Sequence, residues 1–569
     1  MKKIIFTIAL CVSFLTNAQT LEHKIPSTAQ AVVSVNGNRL LELVSIVEFD
    51  KLNIAKEFFR EVNKDLGDTS KVASLKDLGF DTSSKAYYFY QPTDSISYFQ
   101  FMIKLKDKKL FEKLIPKSYQ EKIERKEGLA IMADYSSFTV WDDNTLVFTG
   151  FSDSYQYFEK NKKRFLKQAE KEEESIYDIK KRVSKNWAKK HVLTTFRNDP
   201  SKSILTNSSY VKRKDKKAVA SFWVNNYGEL IETTMLYTLS SMFMSTDIKP
   251  NRNRYGVDGV WGNFYFEDNA ARLTANMEIN DTWKKIYKKM YKSKMGNEFF
   301  KYFDQNNVLG YTSISFNMQG ALEEYPNIVS SIYGGIMPNY KEEIEAVAEI
   351  TSVLLDEKAI GNAITGNMLF ILNDIAEREV TYKTYEYDEN YKSTEVTKTK
   401  KETLPEFTVM IGSKNKKLLD KFIRLGAKHE LVHPQAKYFK FREENDIPFD
   451  MFFVVKNNIA FLTNSEKQIV AIVNDKVSSN TGKHKKMMRK NISVFYANGK
   501  KIMYRIPESL VSSSEREFYN FAKDNLSEVE FTTSKMKGNK IHMELKMDTP
   551  VSHQNSLKYF LNFFELFVK

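Results

Sequence analysis

Ala31-Val32-Val33-Ser34-Val35-Asn36-Gly37-Asn38-Arg39-Leu40-Leu41-Glu42-Leu43 is the stretch on which the fold turns. Val32, Val33 and Val35 are β-branched and suit a buried strand. Asn36 carries a side-chain oxygen that can accept from helical N–H groups, so it marks the end of a strand and the cap of a helix. Leu40, Leu41, Val44 and Val47 then recur at helical spacing. The pattern predicts a strand over 31–36 running straight into a helix.

The same joint returns three times. Ala220–Val224 ends at Asn225, Thr312–Phe316 at Asn317, and Ser493–Ala497 at Asn498. After the first joint the sequence predicts strands Lys85–Gln91 and Ser97–Lys106 and a helix Lys108–Ile115, giving the order β-α-β-β-α. In the second strand Phe99, Phe101, Ile103 and Leu105 alternate with Gln100, Met102, Lys104 and Lys106. That alternation predicts the aromatic set facing inward. A hairpin follows, with Phe138–Trp141 and Leu146–Thr149 flanking Asp142-Asp143-Asn144-Thr145. Ser152–Lys190 reads as a long, charged, solvent-facing helical region.

The later part of the chain repeats this list. Asn415–Ile423 echoes Asp107–Ile115, the hairpin Phe453–Thr463 with Lys456-Asn457-Asn458 at its tip echoes the earlier one, and Lys540–Asp548 echoes Arg272–Asn280. Several echoes in one order point to a tandem duplication. The expected halves are 19–295 and 300–569, each built from two β-α-β-β-α units. The fold class is α+β, antiparallel sheets with helices packed on one face. The segment 382–403, alternating Thr, Tyr, Glu and Lys, is an insertion, either an exposed hairpin or a disordered loop.

Lys2 and Lys3, the apolar run Ile4–Leu15 and the small residues ending at Ala18 form a secretory signal over 1–18, with cleavage near Ala18 and export expected. The destination is the periplasm or the outer membrane. Cys11, the single cysteine, falls within that signal, so the mature chain offers neither disulfides nor thiolate metal sites. Leu10 before Cys11 is a poor lipoprotein context. No later apolar run reaches membrane-spanning length, so at most peripheral membrane association is expected. The formal net charge is +14. Basic runs at Lys106–Lys109, Lys160–Arg164, Lys180–Lys190, Lys212–Lys217 and Lys483–Lys490 match no nucleic-acid fold signature. They read as solvated faces, or as attraction to anionic envelope components.

The sharpest chemical motif is His429-Glu430-Leu431-Val432-His433. On a helix, His-Glu-x-x-His puts two imidazoles on one face to bind zinc, and the Glu polarises the metal-bound water. His429 and His433 are thus candidate metal ligands and Glu430 a candidate catalytic base of a zinc metallopeptidase. Pro434 and Gly426 argue against the helix this requires. A third ligand would have to come from Glu443, Glu444 or elsewhere. The remaining histidines are isolated, and the sequence holds no phosphate-binding loop or Ser nucleophile elbow, so no cofactor is expected. Asp142-Asp143-Asn144 supplies too few oxygens for calcium and reads as a turn. The abundant Phe, Tyr and Met residues admit a lipid or glycolipid carrier with an apolar groove between sheet and helices.

The opening Ile25-Pro26-Ser27-Thr28-Ala29-Gln30-Ala31-Val32-Val33-Ser34-Val35-Asn36, the strand ending in Asn and the doubled layout resemble a domain-of-unknown-function family of large exported envelope proteins of Bacteroidota. Many of its members are lipoprotein-like, which this chain's Leu10-Cys11 does not match. The resemblance implies no activity. The expected role is non-enzymatic, as a scaffold, a binding protein or an accessory subunit of an outer-membrane complex. Other envelope proteins or anionic envelope components are the expected partners.

Overall fold

The computed structural model describes residues 20–66, 71–231, 255–291, 294–334, 337, 340–387, 389, 391–442 and 449–568. The secretory signal read over 1–18, most of the helix expected after Leu230, and Glu443 and Glu444 lie outside them. The chain forms two compact units. Unit 1 takes Met1–Asn226, Val260–Phe266 and Leu557–Lys569; unit 2 takes Tyr227–Gly259 and Glu267–Ser556.

Unit 1 holds strands β1 (Ala31–Asn36), β2 (Lys85–Pro92), β3 (Ile96–Lys104), β4 (Glu124–Lys126), β5 (Leu129–Ala133), β6 (Ser137–Trp141), β7 (Thr145–Asp153) and β8 (Ala220–Asn225). They pair antiparallel in the order β8-β1-β2-β3-β7-β6-β5-β4. At the opening joint, Asn36 Oδ1 accepts from the Arg39 N–H and starts α1 (Gly37–Leu43). The helical spacing over 40–47 spans two helices rather than one. Val44 turns extended, and Ser45 with Glu48 forms a capping box that starts α2 (Ile46–Asp50). Helix α3 (Asn53–Leu66) follows, its first N–H groups at Asn53 and Ile54 each donating at 2.8 Å to the Glu565 carboxylate of the C-terminal helix, Ser556–Glu565. Helix α4 (Lys108–Lys113) is capped by Asp107.

Two expectations are corrected in this unit. The charged region Ser152–Lys190 is not peripheral. It forms α5 (Tyr155–Lys160), α6 (Lys162–Glu172) and the start of α7 (Ile176–Phe196), and α7 buries Ile179, Ala188 and Val192 completely. Apolar residues at helical spacing carry that face, while the lysines occupy the other. The phase of β3 is also inverted: Ile96, Tyr98, Gln100 and Met102 are buried, and Phe99 and Phe101 face away from that core. Gln100 is tolerated inside because its Oε1 accepts from the Thr195 hydroxyl of α7 at 2.8 Å. On the opposite face α4 covers one end, with Phe111 edge-on to Trp141 at 5.5 Å. Beyond it runs a cross-strand row, Phe222–Val33–Tyr88–Phe101–Phe148, whose last three members are each more than a third exposed.

Strand β9 (Val257–Phe266) starts in unit 2 and ends in unit 1. Unit 2 holds β10 (Ala270–Ile279), β11 (Gly310–Ser315), β12 (Asn367–Tyr387), β13 (Ser393–Gly412), β14 (Val432–Pro434), β15 (Phe439–Phe441), β16 (Phe452–Lys456), β17 (Ile459–Thr463), β18 (Asn491–Asn498), β19 (Glu528–Ser534) and β20 (Lys540–Asp548). Their antiparallel order is β10-β20-β19-β18-β11-β12-β13-β17-β16-β15-β14. The succession β18-β11-β12-β13-β17-β16-β15-β14 is that of β8-β1-β2-β3-β7-β6-β5-β4 in unit 1, strand for strand. The turn between β16 and β17 places Asn457 and Asn458 at φ 50° and 61°, the backbone a two-residue hairpin needs. The insertion 382–403 is the far end of the β12–β13 hairpin, paired from Met368–Ile411 out to Tyr387–Ser393.

The α-helices among the described residues of unit 2 are α8 (Asp281–Met290), α9 (Met318–Glu323), α10 (Tyr325–Tyr333), α11 (Lys341–Leu354), α12 (Glu357–Ala363), α13 (Lys416–Lys428), α14 (Glu466–Val473), α15 (His484–Lys490), α16 (Gly499–Met503) and α17 (Arg516–Asn525). Ile469 and Ile472 of α14 and Met488 of α15 share a core with Tyr311, Leu369, Met410 and Phe461 of the sheet. In each unit the fold is α+β, large antiparallel sheets with packed helices. No described helix is long and apolar enough to cross a membrane.

Candidate functional site

A cavity of about 890 Å³ forms a groove in unit 2 at the end of the sheet where β11 begins. Its walls come from the segment before β11, the middle of β12, helix α14 and the residues after it, and helix α16 with its C-terminal extension. Local geometry explains each wall. Asp304 caps the short turn before β11, accepting from the Asn306 N–H and the Asn307 amide at 3.0 Å and from the Ser478 hydroxyl. A bulge at Asn373, whose Oδ1 accepts from the Thr408 hydroxyl at 2.8 Å, turns Asp374 toward the groove. Asn498 Oδ1 accepts from the Lys501 N–H at 2.9 Å and so starts α16, which carries Lys500, Lys501 and, just beyond it, Arg505.

The electrostatics of the groove are one-sided. Its three carboxylates are all engaged: Asp374 pairs with Arg505 at 3.0 Å, Glu406 pairs with Arg378 at 2.8 Å, and Asp304 accepts three hydrogen bonds. Lys501 Nζ donates to the Gln305 and Asn306 carbonyls at 3.2 and 3.1 Å. Lys467, Lys476 and Lys500 line the same space, are exposed, and form no ion pair among the described residues. The groove therefore presents cations that its own acids leave unneutralised, beside amide groups at Asn306, Asn307 and Asn373. That arrangement suits an anion carrying several hydrogen-bond acceptors.

A smaller cavity of about 180 Å³ sits at the corresponding place in unit 1, between the segment before β1, the end of β2 and α7. His191 stacks on Tyr98 there, centroids 4.6 Å apart. Burial, and after it the charge of Lys190, holds the His191 imidazole below its ordinary value; burial likewise lowers the Lys24 ammonium. Desolvation thus works against positive charge here, where the unit 2 groove leaves its lysines in water.

The sequence-predicted site residues fall elsewhere. His429 is the C-terminal cap of α13, Glu430 follows in a left-handed conformation at φ 59°, and His433 lies in β14 opposite Lys440. The helix that would set both imidazoles on one face has ended before the motif begins. Among the described residues no group of three or more His, Cys, Asp or Glu side chains is placed to hold a metal ion. Asp142 is a turn residue, its Oδ1 accepting from the Asn144 and Thr145 N–H groups at 2.8 and 2.7 Å. The basic runs are mostly occupied: Lys483 pairs with Glu528 and Glu530, Lys214 with Glu22, and Lys181 sits over the Tyr135 ring at 3.7 Å. The groove lysines escaped the sequence reading because three separate segments deliver them and no run marks them.

No protein-family model matches the chain, and no curated protein matches it. Among solved structures, crystal form I of TP0453 matches over 47% of this chain and 80% of that one, at 8% identity and a TM-score of 0.24. Crystal form III of TP0453 matches over 46% of this chain and 79% of that one, again at 8% identity and 0.24. Scores this low carry no argument about fold or function.

Proposed function

We propose that the protein is an exported, non-enzymatic envelope protein that binds an anionic envelope component in the unit 2 groove. Of the roles open to an exported chain of this kind, scaffold, accessory subunit or binding protein, the groove favours binding. The observation that carries the reading is the imbalance of its charges. Every carboxylate there is paired or hydrogen-bonded, while Lys467, Lys476 and Lys500 are left to solvent. The ligand class is a phosphorylated or carboxylated glycan or headgroup, since such groups place several acceptor oxygens among ammonium and amide donors. Export rests on Lys2, Lys3 and the apolar run ending near Ala18. Origin by tandem duplication is supported by the shared succession of eight strands in the two units, while kinship with Bacteroidota envelope proteins rests on the resemblance of Ile25–Asn36 alone.

The test is calorimetric titration with a phosphorylated hexosamine disaccharide, the dephosphorylated sugar serving as control. Binding is expected for the first only, weakening as salt is raised. Lys467→Glu combined with Lys500→Glu should weaken it by about tenfold or more. Equal binding of both sugars, or an unaffected double variant, overturns the reading.

A further inference from the structure

The helices beside the unit 2 sheet touch in the succession α11–α10–α9–α12–α13. Its two ends share an unusual property: each carries an apolar stripe that is largely exposed among the described residues. On α11, Ala348 is buried toward the layer, yet Val347, Ile350, Val353 and Leu354 are 64%, 59%, 86% and 80% exposed. These positions recur at the three- and four-residue steps of one helical face. A helix apolar on both its packed and its outward face is the pattern of a buried element. On α13 no residue is fully buried, and Phe422 and Leu425 are 61% and 53% exposed.

The charges beside the two stripes are opposite. Glu342, Glu343 and Glu349 border the stripe of α11; all are exposed and form no ion pair among the described residues. Lys417, Lys421, Arg424 and Lys428 border that of α13, equally exposed and equally unpaired. The helices are 14 and 13 residues long, so the two match in length at about 20 Å.

We propose that the protein self-associates head to tail, α11 of one copy packing against α13 of the next. One occupant then covers both stripes and satisfies both sets of charges. An anionic membrane surface would suit α13 but would be repelled by the glutamates of α11. The contact joins two different patches, so it is heterologous and builds a ring or an open chain rather than a closed two-fold dimer. It does not depend on the groove, which lies on other elements of unit 2.

Sedimentation velocity over a concentration series tests it. The wild-type protein should associate as concentration rises, and less so in high salt. Lys421→Glu with Arg424→Glu should stay monomeric, as should Glu343→Lys with Glu349→Lys. An equimolar mixture of these two variants should associate again, because each reversed helix then meets its reversed complement. Val353→Ser with Leu354→Ser, at positions largely in solvent, removes apolar contact without touching charge and should weaken association by about tenfold or more. A wild-type protein that remains monomeric, or a mixture that does, overturns the proposal. So does a monomer that sediments with phosphatidylglycerol vesicles but not with phosphatidylcholine vesicles and loses this on Phe422→Ser, which would assign α13 to a membrane surface instead.

Discussion

Asn36, Asn317 and Asn498 stand at nearly one backbone conformation, φ −96°, −96° and −100° with ψ 98°, 101° and 96°. Their side chains then diverge. Asn36 and Asn498 accept from an N–H three residues on, whereas the Asn317 amide donates to the Lys289 carbonyl at 3.3 Å. The sequence could show that the joint recurs, but not which way each side chain turns. Asn498→Ala should therefore cost about 0.5–2 kcal/mol in urea unfolding, and Asn317→Ala less, since no cap is lost there. Gly37 is fixed by close approach: a Cβ would sit 2.0 Å from the Thr82 carbonyl oxygen and 2.6 Å from that of Ser84. His484 gives a pH dependence. It is buried among Tyr311, Tyr496 and Phe303, with Tyr311 Oη 3.0 Å from its Nδ1. Burial, then the neighbouring Lys483, lowers its pKa below 6.5, against a smaller opposing pull from Glu528 and Glu530. The unfolded chain then holds more protons below pH 6.5, so this stability is complete above that value and is lost as pH falls through the folded pKa. Denaturant midpoints measured from about pH 7.5 down to about pH 5.5 should fall, and His484→Gln should flatten that fall.

At the scale of elements, period was legible and phase was not. The twofold alternation of β3 is in the sequence, but both of its faces are apolar enough to be buried. What decides is α7, whose Thr195 meets Gln100, more than ninety residues distant and beyond any local reading. For the same reason α7 itself read as solvent-facing, since its lysines outnumber the few residues that touch the sheet. Gly426 and Pro434 argue locally against a helix through the His-Glu-x-x-His motif, and α13 stops at Lys428. The outer part of the β12–β13 hairpin is a separable element. Its ion pairs, Lys383–Glu395 at 2.6 Å and Lys398–Glu386 at 2.8 Å, are about half exposed and contribute little. Thr381 and Thr399 face each other across the ladder. Replacing 382–398 by an Asn-Gly turn should shift the thermal midpoint by no more than about 2 °C, as read by calorimetry.

At the scale of the whole molecule, the halves 19–295 and 300–569 drawn from the sequence differ from the two compact units. Strand β10 pairs with β20 from Ala270–Asp548 to Glu278–Lys540, and α3 in unit 1 receives its N-terminal cap from Glu565. Expressed alone, residues 19–295 should therefore show no cooperative melt by circular dichroism, whereas a repeat half complete in itself would show one. Glu565→Ala in the full chain should cost about 0.5–2 kcal/mol in urea unfolding. The Glu565 contact also bears on timing. A chain made N-terminus first delivers α3 some five hundred residues before the carboxylate that caps it, and β10 long before β20. Unit 1 cannot finish while unit 2 is still emerging, so neither can serve as a folded platform for the other. Closure of both waits on the same final stretch, and a chain interrupted before it should be cleared by proteases rather than persist half-built.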